Sequence, residues 1–348
     1  MSSNKLPQRP LFASLPLHES DPPFSAWGLY GPDDQLGALN LLTDECVMEA
    51  TKEIKSGMRI GLNLPLNVPS PPSHGRLPFT HKVVHKAPRN VHDDVVEMNT
   101  QVGYIMMEAV ETGKLIVMKC STQWDGFRHY GYQTENVCYN GVAIPEISGP
   151  NAGLKLGIQS WCDQGIVGRG VLLDYLRFAE SVGKEYKLLE NHTISLSELK
   201  ACAKAQNVTF RLGDILIIRS GWTKGYLELD ATGRQAWAER TPARLGGVAT
   251  LKEMAEWLWE TGFSAVASDA TAFESLPFNP AGEPGGLEKI SLHEILLAGW
   301  GVPIGEMWNL ERLSEECAKH NRYSFFLTSM PLNIPGGIAG PANVLAIF

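Results

Sequence analysis

One short stretch of the sequence brings together an amide, a carboxylate and an imidazole, supplied by Gln123, Asp125 and His129. The apolar run before it, residues 115–118, predicts a buried strand. In an extended chain Gln123 and Asp125 share a face, and Gly126 can end the strand so that His129 turns back toward Asp125. This combination suits metal binding or proton transfer. The alternative is a strand-to-loop corner whose polar groups only satisfy one another.

Two distant positions could complete a metal site with this stretch. Ser291 and Glu294 have the spacing of a capping box, which predicts a helix with His293 in its first turn. Glu306 lies on a new element further along the chain. Together with Asp125, these two side chains form an acidic set of nitrogen and oxygen donors that suits a divalent cation.

Several segments of the chain are similar to a known family. Residues 119–129 read Lys-Cys-Ser-Thr-Gln-Trp-Asp-Gly-Phe-Arg-His, where members of the cyclase-like family typically carry His-x-Gly-Thr-His-x-Asp-x-Pro-x-His. The chain resembles this family of kynurenine formamidase and isatin hydrolase type hydrolases, in a Gln-Trp-Asp variant. The similarity covers nearly the whole chain and extends to residues 27–28, 34–43, 168–174, 213–219 and 340–343.

The resemblance implies an α/β fold, with a swivelling β/β/α-type domain whose mixed central sheet or barrel-like core is flanked by helices. It also implies metal ligands, because Asp125, His293 and Glu306 match the family's bridging Asp and its downstream His and Glu. Gln123 replaces a family histidine, so either its side-chain oxygen ligates weakly or its amide donates to substrate. Since the first-site histidines are missing, we expect one divalent ion, zinc or manganese, rather than two.

The implied reaction is metal-dependent hydrolysis of a carbonyl compound, because a divalent ion lowers the pKa of bound water and polarises the carbonyl. The implied substrates are amides, lactams, cyclic imides or lactones, and the expected activity is arylformamidase-like, on C–N bonds other than peptide bonds. His129 matches the family's catalytic histidine and would act as general base or acid.

Aromatic residues in the motif predict a small aromatic substrate. Trp124, Phe127 and Tyr130 are the candidate substrate contacts, and core packing is the alternative for them. Two other functions stay open. One is a cyclase or dehydratase of secondary metabolism that uses His129 as a base with little help from metal. The other is a metal-free binding protein that kept the fold.

The composition excludes some partners. The net charge is −8 and Lys and Arg do not cluster, so we expect no nucleic-acid binding. No apolar run approaches the roughly 20 residues of a membrane span, and the N-terminus does not read as a secretory signal. The six cysteines are scattered without a CxxC pair, which indicates reduced thiols in a cytoplasmic protein. We expect a small-molecule substrate and a homodimer or homotetramer.

Motifs of other enzyme classes are missing from the sequence. It contains no P-loop and no complete dinucleotide-binding glycine pattern. His293 and Glu294 begin like HExxH, but Leu297 stands where the second histidine would be. Ser220 lacks the GxSxG nucleophile elbow. Serine hydrolases and nucleotide-binding enzymes therefore have no support.

The domain organisation is predicted to be simple. We expect an extended N-terminal arm over residues 1–25 and a single domain over residues 26–348. Residues 102–119 are a candidate insertion: with them removed, Gln101 rather than Lys119 falls at the first family histidine position. The alternative is a genuine hairpin.

The rest of the chain is predicted to alternate strands and helices. His81 and His85 lie on an extended segment, as surface residues or residues behind the site. An ordered loop over residues 133–160 is expected to cover the site. Helices are predicted over residues 43–55, 195–207 and 250–261. Strands are predicted over residues 59–64, 95–101, 214–219 and 264–268, with two more, joined through Gly336 and Gly337, over residues 324–348.

Overall fold

The structure is a computed structural model that describes residues 6–73, 78–85, 88, 92–97, 121–149, 152–242, 244–277, 286–287 and 290–348. The candidate insertion at residues 102–119 lies outside these ranges, as do Gln101 and Lys119, and it stays a prediction. The division into an arm and one domain also stays a prediction.

Strands and helices follow one another along the chain. In chain order, the strands are β1 (Arg59–Gly61), β2 (Thr80–His85), β3 (His92–Glu97), β4 (Gln123–Asp125), β5 (Ile166–Leu173), β6 (Thr193–Ile194), β7 (Ile215–Ile218), β8 (Gly247–Val248), β9 (Ala265–Ser268), β10 (Ile304–Glu306), β11 (Ser324–Ser329), β12 (Ala339–Pro341) and β13 (Val344–Ile347). The α-helices are α1 (Asp44–Ala50), α2 (Ile144–Ile147), α3 (Tyr175–Ser181), α4 (Leu196–Ala205), α5 (Trp222–Leu227), α6 (Ala231–Glu239), α7 (Lys252–Thr261) and α8 (Glu311–His320). A π-helix spans Glu294–Trp300, and 3-10 helices span Phe12–Ser14, Gly37–Leu41, Thr51–Glu53, Tyr139–Gly141 and Ile158–Trp161.

Nine strands form one sheet in the order β1-β13-β11-β5-β7-β9-β10-β4-β12. The central strands β5, β7, β9 and β10 run parallel to one another, and the strands on both sides of them pair antiparallel. Parallel neighbours need crossover connections, and helices α3 to α7 lie in them. The sheet curls into a half-barrel flanked by helices. The predicted α/β class with a mixed central sheet is confirmed.

The sequence explains why the central elements form. β7 is a continuous apolar run that is buried at every position, as expected for a parallel strand covered on both faces. The capping box of Ser195 and Glu198 starts α4 as predicted. Gly262 adopts φ 76° and ends α7 with a left-handed residue, which confirms the predicted stop.

Several predicted boundaries differ from the structure. β1 ends at Gly61, short of residue 64, and β3 begins earlier than the predicted strand 95–101, whose residues 98–101 lie outside the described ranges. The C-terminal region contains three strands instead of two, because Asn343, with a φ of 46°, interrupts the extended chain between β12 and β13. The predicted loop 133–160 contains short helices in its described part.

The histidines before the motif lie on a hairpin apart from the large sheet. β2 pairs with β3 in a separate two-stranded sheet. His81 and His85 are both exposed on β2, and Nε2 of His81 lies 2.8 Å from Oδ1 of Asp94. The prediction of an extended segment with surface histidines is confirmed.

Two further expectations concern thiols and membranes. Within the described residues the cysteines are free thiols, namely Cys46, Cys138, Cys162, Cys202 and Cys317. Helices long and apolar enough to traverse a bilayer are absent from the part of the chain that the structure describes.

Candidate active site

The strand that carries the motif lies between two others at the end of the large sheet. β4 pairs antiparallel with β10 on one side and β12 on the other. The β4–β10 register sets Gln123 directly opposite Glu306, and directly opposed side chains share a face. Nε2 of Gln123 consequently donates to Oε2 of Glu306 at 3.0 Å and to Oδ1 of Asp125 at 3.2 Å.

The chain turns directly after β4, as predicted. The backbone N–H of His129 donates to the carbonyl oxygen of Gly126 at 2.9 Å. A Cβ at Gly126 would lie 2.5 Å from the carbonyl oxygen of Ile338, so only glycine fits there. The turn brings Nε2 of His129 to 3.6 Å from Oδ2 of Asp125.

His293 reaches the same place from the start of a helix. The capping box is confirmed, because the Glu294 N–H donates to Oγ of Ser291 at 3.2 Å and the Ser291 N–H donates back to Oε2 of Glu294 at 2.8 Å. Nε2 of His293 lies 3.3 Å from Oε1 of Glu306 and 3.9 Å from Oδ2 of Asp125. The carboxylates of the other two predicted ligands, Asp125 and Glu306, therefore both lie near the imidazole of His293.

The donor atoms of this cluster fit a cation. Asp125, His129 and His293 each offer an atom within 4.8 Å of the other two, and all three residues are buried. Glu306, also buried, contacts the cluster through His293. A carboxylate and imidazoles are the ligand types that zinc and manganese accept. The family resemblance implies proton transfer by His129, and this geometry also allows its imidazole to face a metal.

The carboxylates around His293 determine its protonation. Burial alone would lower the pKa of His293, but hydrogen bonds with Glu274 and Glu306 outweigh it and raise the pKa to about 10. Without a metal, the imidazole is protonated at neutral pH. Because a metal ligand must be deprotonated, a metal that bound at Nε2 would release a proton, and its binding would be favoured by higher pH.

Gln123 acts as a hydrogen-bond donor in this structure, and its ligation of a metal through the side-chain oxygen stays a prediction. Its amide nitrogen faces Asp125 and Glu306, and an amide N–H group is a donor with no lone pair for a cation. The reason lies in its neighbours, since two buried carboxylates require hydrogen-bond donors. Gln123 thus ties two candidate ligands together.

The three aromatic residues of the motif have different surroundings. Trp124 is buried against Trp308, with ring centroids 4.9 Å apart. Phe127 is buried between aromatic rings of the hydrophobic core. Tyr130 is partly exposed, and its ring centroid lies 5.5 Å from that of His293. Trp124 and Phe127 pack in the hydrophobic core, which is the alternative that the sequence leaves open for them, and Tyr130 alone of the three is partly exposed.

Sequence reasoning missed Glu274. Its Oε1 lies 2.8 Å from Nδ1 of His293, on the opposite side of the ring from Glu306. One signal was available: Glu274 follows the predicted strand 264–268, and polar groups past the carboxyl ends of parallel strands gather at the functional edge of α/β sheets.

Comparisons with known proteins identify the family of the chain. A family model described as Putative cyclase matches residues 74–275, more than half of the chain. No curated protein matches the chain. The solved structure of a novel cyclase is 31% identical with a TM-score of 0.76, over 93% of this chain and 99% of that one. Isatin hydrolase A from Ralstonia solanacearum shares the fold at 15% identity and a TM-score of 0.51, over 87% of this chain and 97% of that one. The protein therefore belongs to the Putative cyclase family.

Proposed function

We propose that the protein is a metal-dependent hydrolase that cleaves an amide, lactam, cyclic imide or lactone of a small aromatic molecule. The observation that carries this proposal is the buried set of Asp125, His293 and Glu306, in which Nε2 of His293 lies 3.9 Å from Oδ2 of Asp125 and 3.3 Å from Oε1 of Glu306. His129 adjoins this set, with a donor atom within 4.8 Å of those of Asp125 and His293. Buried charged groups are costly unless they are paired or coordinate a metal. Carboxylate and imidazole donors gathered in the interior in this way suit a divalent cation.

Asp125, His293 and Glu306 would hold one divalent ion, zinc or manganese. When bound there, the ion supplies Lewis-acid chemistry, because it lowers the pKa of a water molecule and polarises a substrate carbonyl. Gln123 donates to both carboxylates and thereby keeps them on one side of the site. This tie fixes the spacing of two ligands before any ion binds.

His129 would move the proton during hydrolysis. Nε2 of His129 lies 3.6 Å from Oδ2 of Asp125, and the turn at Gly126 fixes the backbone of His129. An imidazole in this position takes a proton from the attacking water as a general base. It then returns the proton to the leaving nitrogen or oxygen as a general acid.

An aromatic substrate is supported by Tyr130. Its ring lies 5.5 Å from His293 and 6.1 Å from His129, measured between centroids, and it is partly exposed. An aromatic ring at this edge can pack against a flat substrate by offset stacking or edge-to-face contact. Isatin hydrolase A, which shares this fold, is named for isatin, an aromatic lactam, and isatin is therefore a suitable first compound to assay.

The proposal is tested by metal analysis combined with a substrate panel. The panel consists of isatin, formanilide, phthalimide and dihydrocoumarin, assayed with the purified protein before and after removal of metal by a chelator. We expect hydrolysis of at least one compound, loss of activity with the chelator, and recovery on adding zinc or manganese. Hydrolysis that persists at full rate in metal-free protein would refute metal dependence. Tight binding of a panel compound without turnover, in metal-loaded protein, would instead indicate a binding protein.

A further inference from the structure

Glu274 is a carboxylate that is completely buried next to the candidate metal site. Oε1 accepts a hydrogen bond from the backbone N–H of His293 at 2.9 Å and lies 2.8 Å from Nδ1 of the same residue. Oε2 accepts from the backbone N–H of Leu292 and from Oγ1 of Thr250, at 2.8 and 2.7 Å. The carboxylate thus holds both the backbone and the ring of His293.

The backbone around Glu274 is itself fixed. Glu274 forms a parallel bridge with Val248, the last residue of β8. The Ser275 N–H donates to the carbonyl oxygen of Val248 at 3.0 Å, and the Val248 N–H donates to that of Phe273 at 3.1 Å. Because these bonds fix the backbone of Glu274, its carboxylate can hold His293 in a defined position.

Capping of the helix does not by itself account for all of these contacts. The bonds from the Leu292 and His293 N–H groups satisfy donors at a helix start, which a buried carboxylate commonly does. The same helix start already has the capping box of Ser291 and Glu294. The contact with Nδ1 of His293 satisfies no backbone group. It acts on the ring, and through the ring on the opposite nitrogen.

We propose that Glu274 is a positioning residue that holds Nδ1–H of His293 and so presents Nε2 to the metal. The inference rests on the proposed function in one respect, that His293 is a metal ligand. A metal-binding imidazole has one nitrogen on the metal, and a hydrogen bond from the other nitrogen fixes its tautomer and orientation. In this structure Nε2 faces Asp125 and Glu306. Glu274 lies behind the ring, where that second bond is needed.

The test compares two isosteric variants, Glu274→Gln and Glu294→Gln. Both substitutions replace a buried carboxylate that accepts backbone hydrogen bonds near the start of the same helix. The carboxylate of Glu294 accepts from Ser291 and Gln133 and does not contact the imidazole of His293, so Glu294→Gln is the matched control. The dissociation constants for Zn²⁺ and Mn²⁺ are measured on metal-free protein by competition with a chelator. We expect about 10–100-fold weaker binding for Glu274→Gln, the usual effect of losing such a partner, and less than about threefold for Glu294→Gln.

The outcomes separate this inference from the proposed function. Equal metal affinity for wild type and Glu274→Gln, with both proteins folded by circular dichroism, overturns the positioning role. So does an equal loss in Glu294→Gln, because the effect would then come from the helix start. If wild-type protein binds metal but hydrolyses no compound of the panel, the proposed activity is refuted. The comparison of metal affinities between the two variants remains valid in that case. Failure of wild-type protein to bind either metal overturns both.

Discussion

Nε2 of His129 lies 3.6 Å from Oδ2 of Asp125, four residues earlier in the chain. Gly126 makes this approach possible, because its backbone ends β4 and accepts the hydrogen bond that closes the turn. The imidazole of His129 is thereby held beside a candidate metal ligand by local structure alone.

The first prediction concerns the proton. Replacement His129→Ala should lower kcat by about 10²–10⁴-fold, the usual loss when general acid–base help is removed, with bound metal retained. Steady-state kinetics and elemental analysis on the same preparation measure kcat and the metal content. His81→Ala is the control, because His81 is exposed on β2. If His129→Ala instead loses its metal, then His129 is a ligand and another group moves the proton.

The second prediction concerns the turn. Gly126→Ala would place a Cβ 2.5 Å from the carbonyl oxygen of Ile338, so the backbone must shift, and the free energy of unfolding should fall by about 1–3 kcal/mol. Gly61→Ala is the matched control, since no atom lies within 4 Å of the added Cβ. Urea unfolding compares the two. A Gly126→Ala protein as stable as Gly61→Ala would contradict the tight turn.

The third prediction separates substrate contact from core packing. Tyr130→Ala should raise KM for an aromatic substrate, because the partly exposed ring borders His293. Trp124→Phe should leave KM unchanged but lower the free energy of unfolding by about 1–3 kcal/mol, since the bond from Nε1 to Oγ of Ser329, 2.8 Å long, is lost in the core. A change in KM for Trp124→Phe, with unchanged stability, would restore Trp124 as a substrate contact.

The fourth prediction is a pH dependence at Glu198. Burial would raise the pKa of Glu198, but hydrogen bonds from Lys184, Ser195 and Tyr175 outweigh it and lower the pKa to about 2. A carboxyl whose pKa is lowered by folding stabilises the protein above its unfolded pKa of about 4.5, and loses this effect as the pH falls toward 2. Glu198→Gln should therefore be less stable than wild type at pH 7, and the difference should narrow below about pH 4.5.

Urea unfolding at about pH 7 and about pH 3.5, on either side of the unfolded pKa, measures this difference. Glu315→Gln on the exposed face of α8 is the control for loss of one surface charge. A stability difference between wild type and Glu198→Gln that widens as the pH falls would contradict the lowered pKa.

Local features of the site could be predicted from the sequence. The capping box before His293 and the turn at Gly126 depend on residues within a few positions of each other, where side chain and backbone interact directly. Glu274 could not be identified in this way. Its contact with His293 joins two separate elements, and no local spacing specifies that pairing.

The aromatic residues show a second limit. Alternation along β4 predicts which side chains share a face, and it correctly separates Trp124 from Gln123 and Asp125. It cannot say that the other face is also covered, because that depends on Trp308 and on the packing of the whole sheet. The same limit applies to β12 and β13: Asn343 interrupts the extended chain between them, and the two strands then pair with different partners, β4 and β11.

The central claim is that Asp125 belongs to a metal site, and metal content tests it most directly. Wild-type protein and Asp125→Asn are purified in parallel from medium with zinc and manganese, and bound ions are counted by elemental mass spectrometry. We predict about one ion per chain in wild type and loss of most of it in Asp125→Asn, with unchanged circular dichroism, because a neutral amide replaces an anionic ligand. Equal ion content in the two proteins, or none in wild type, would contradict the account.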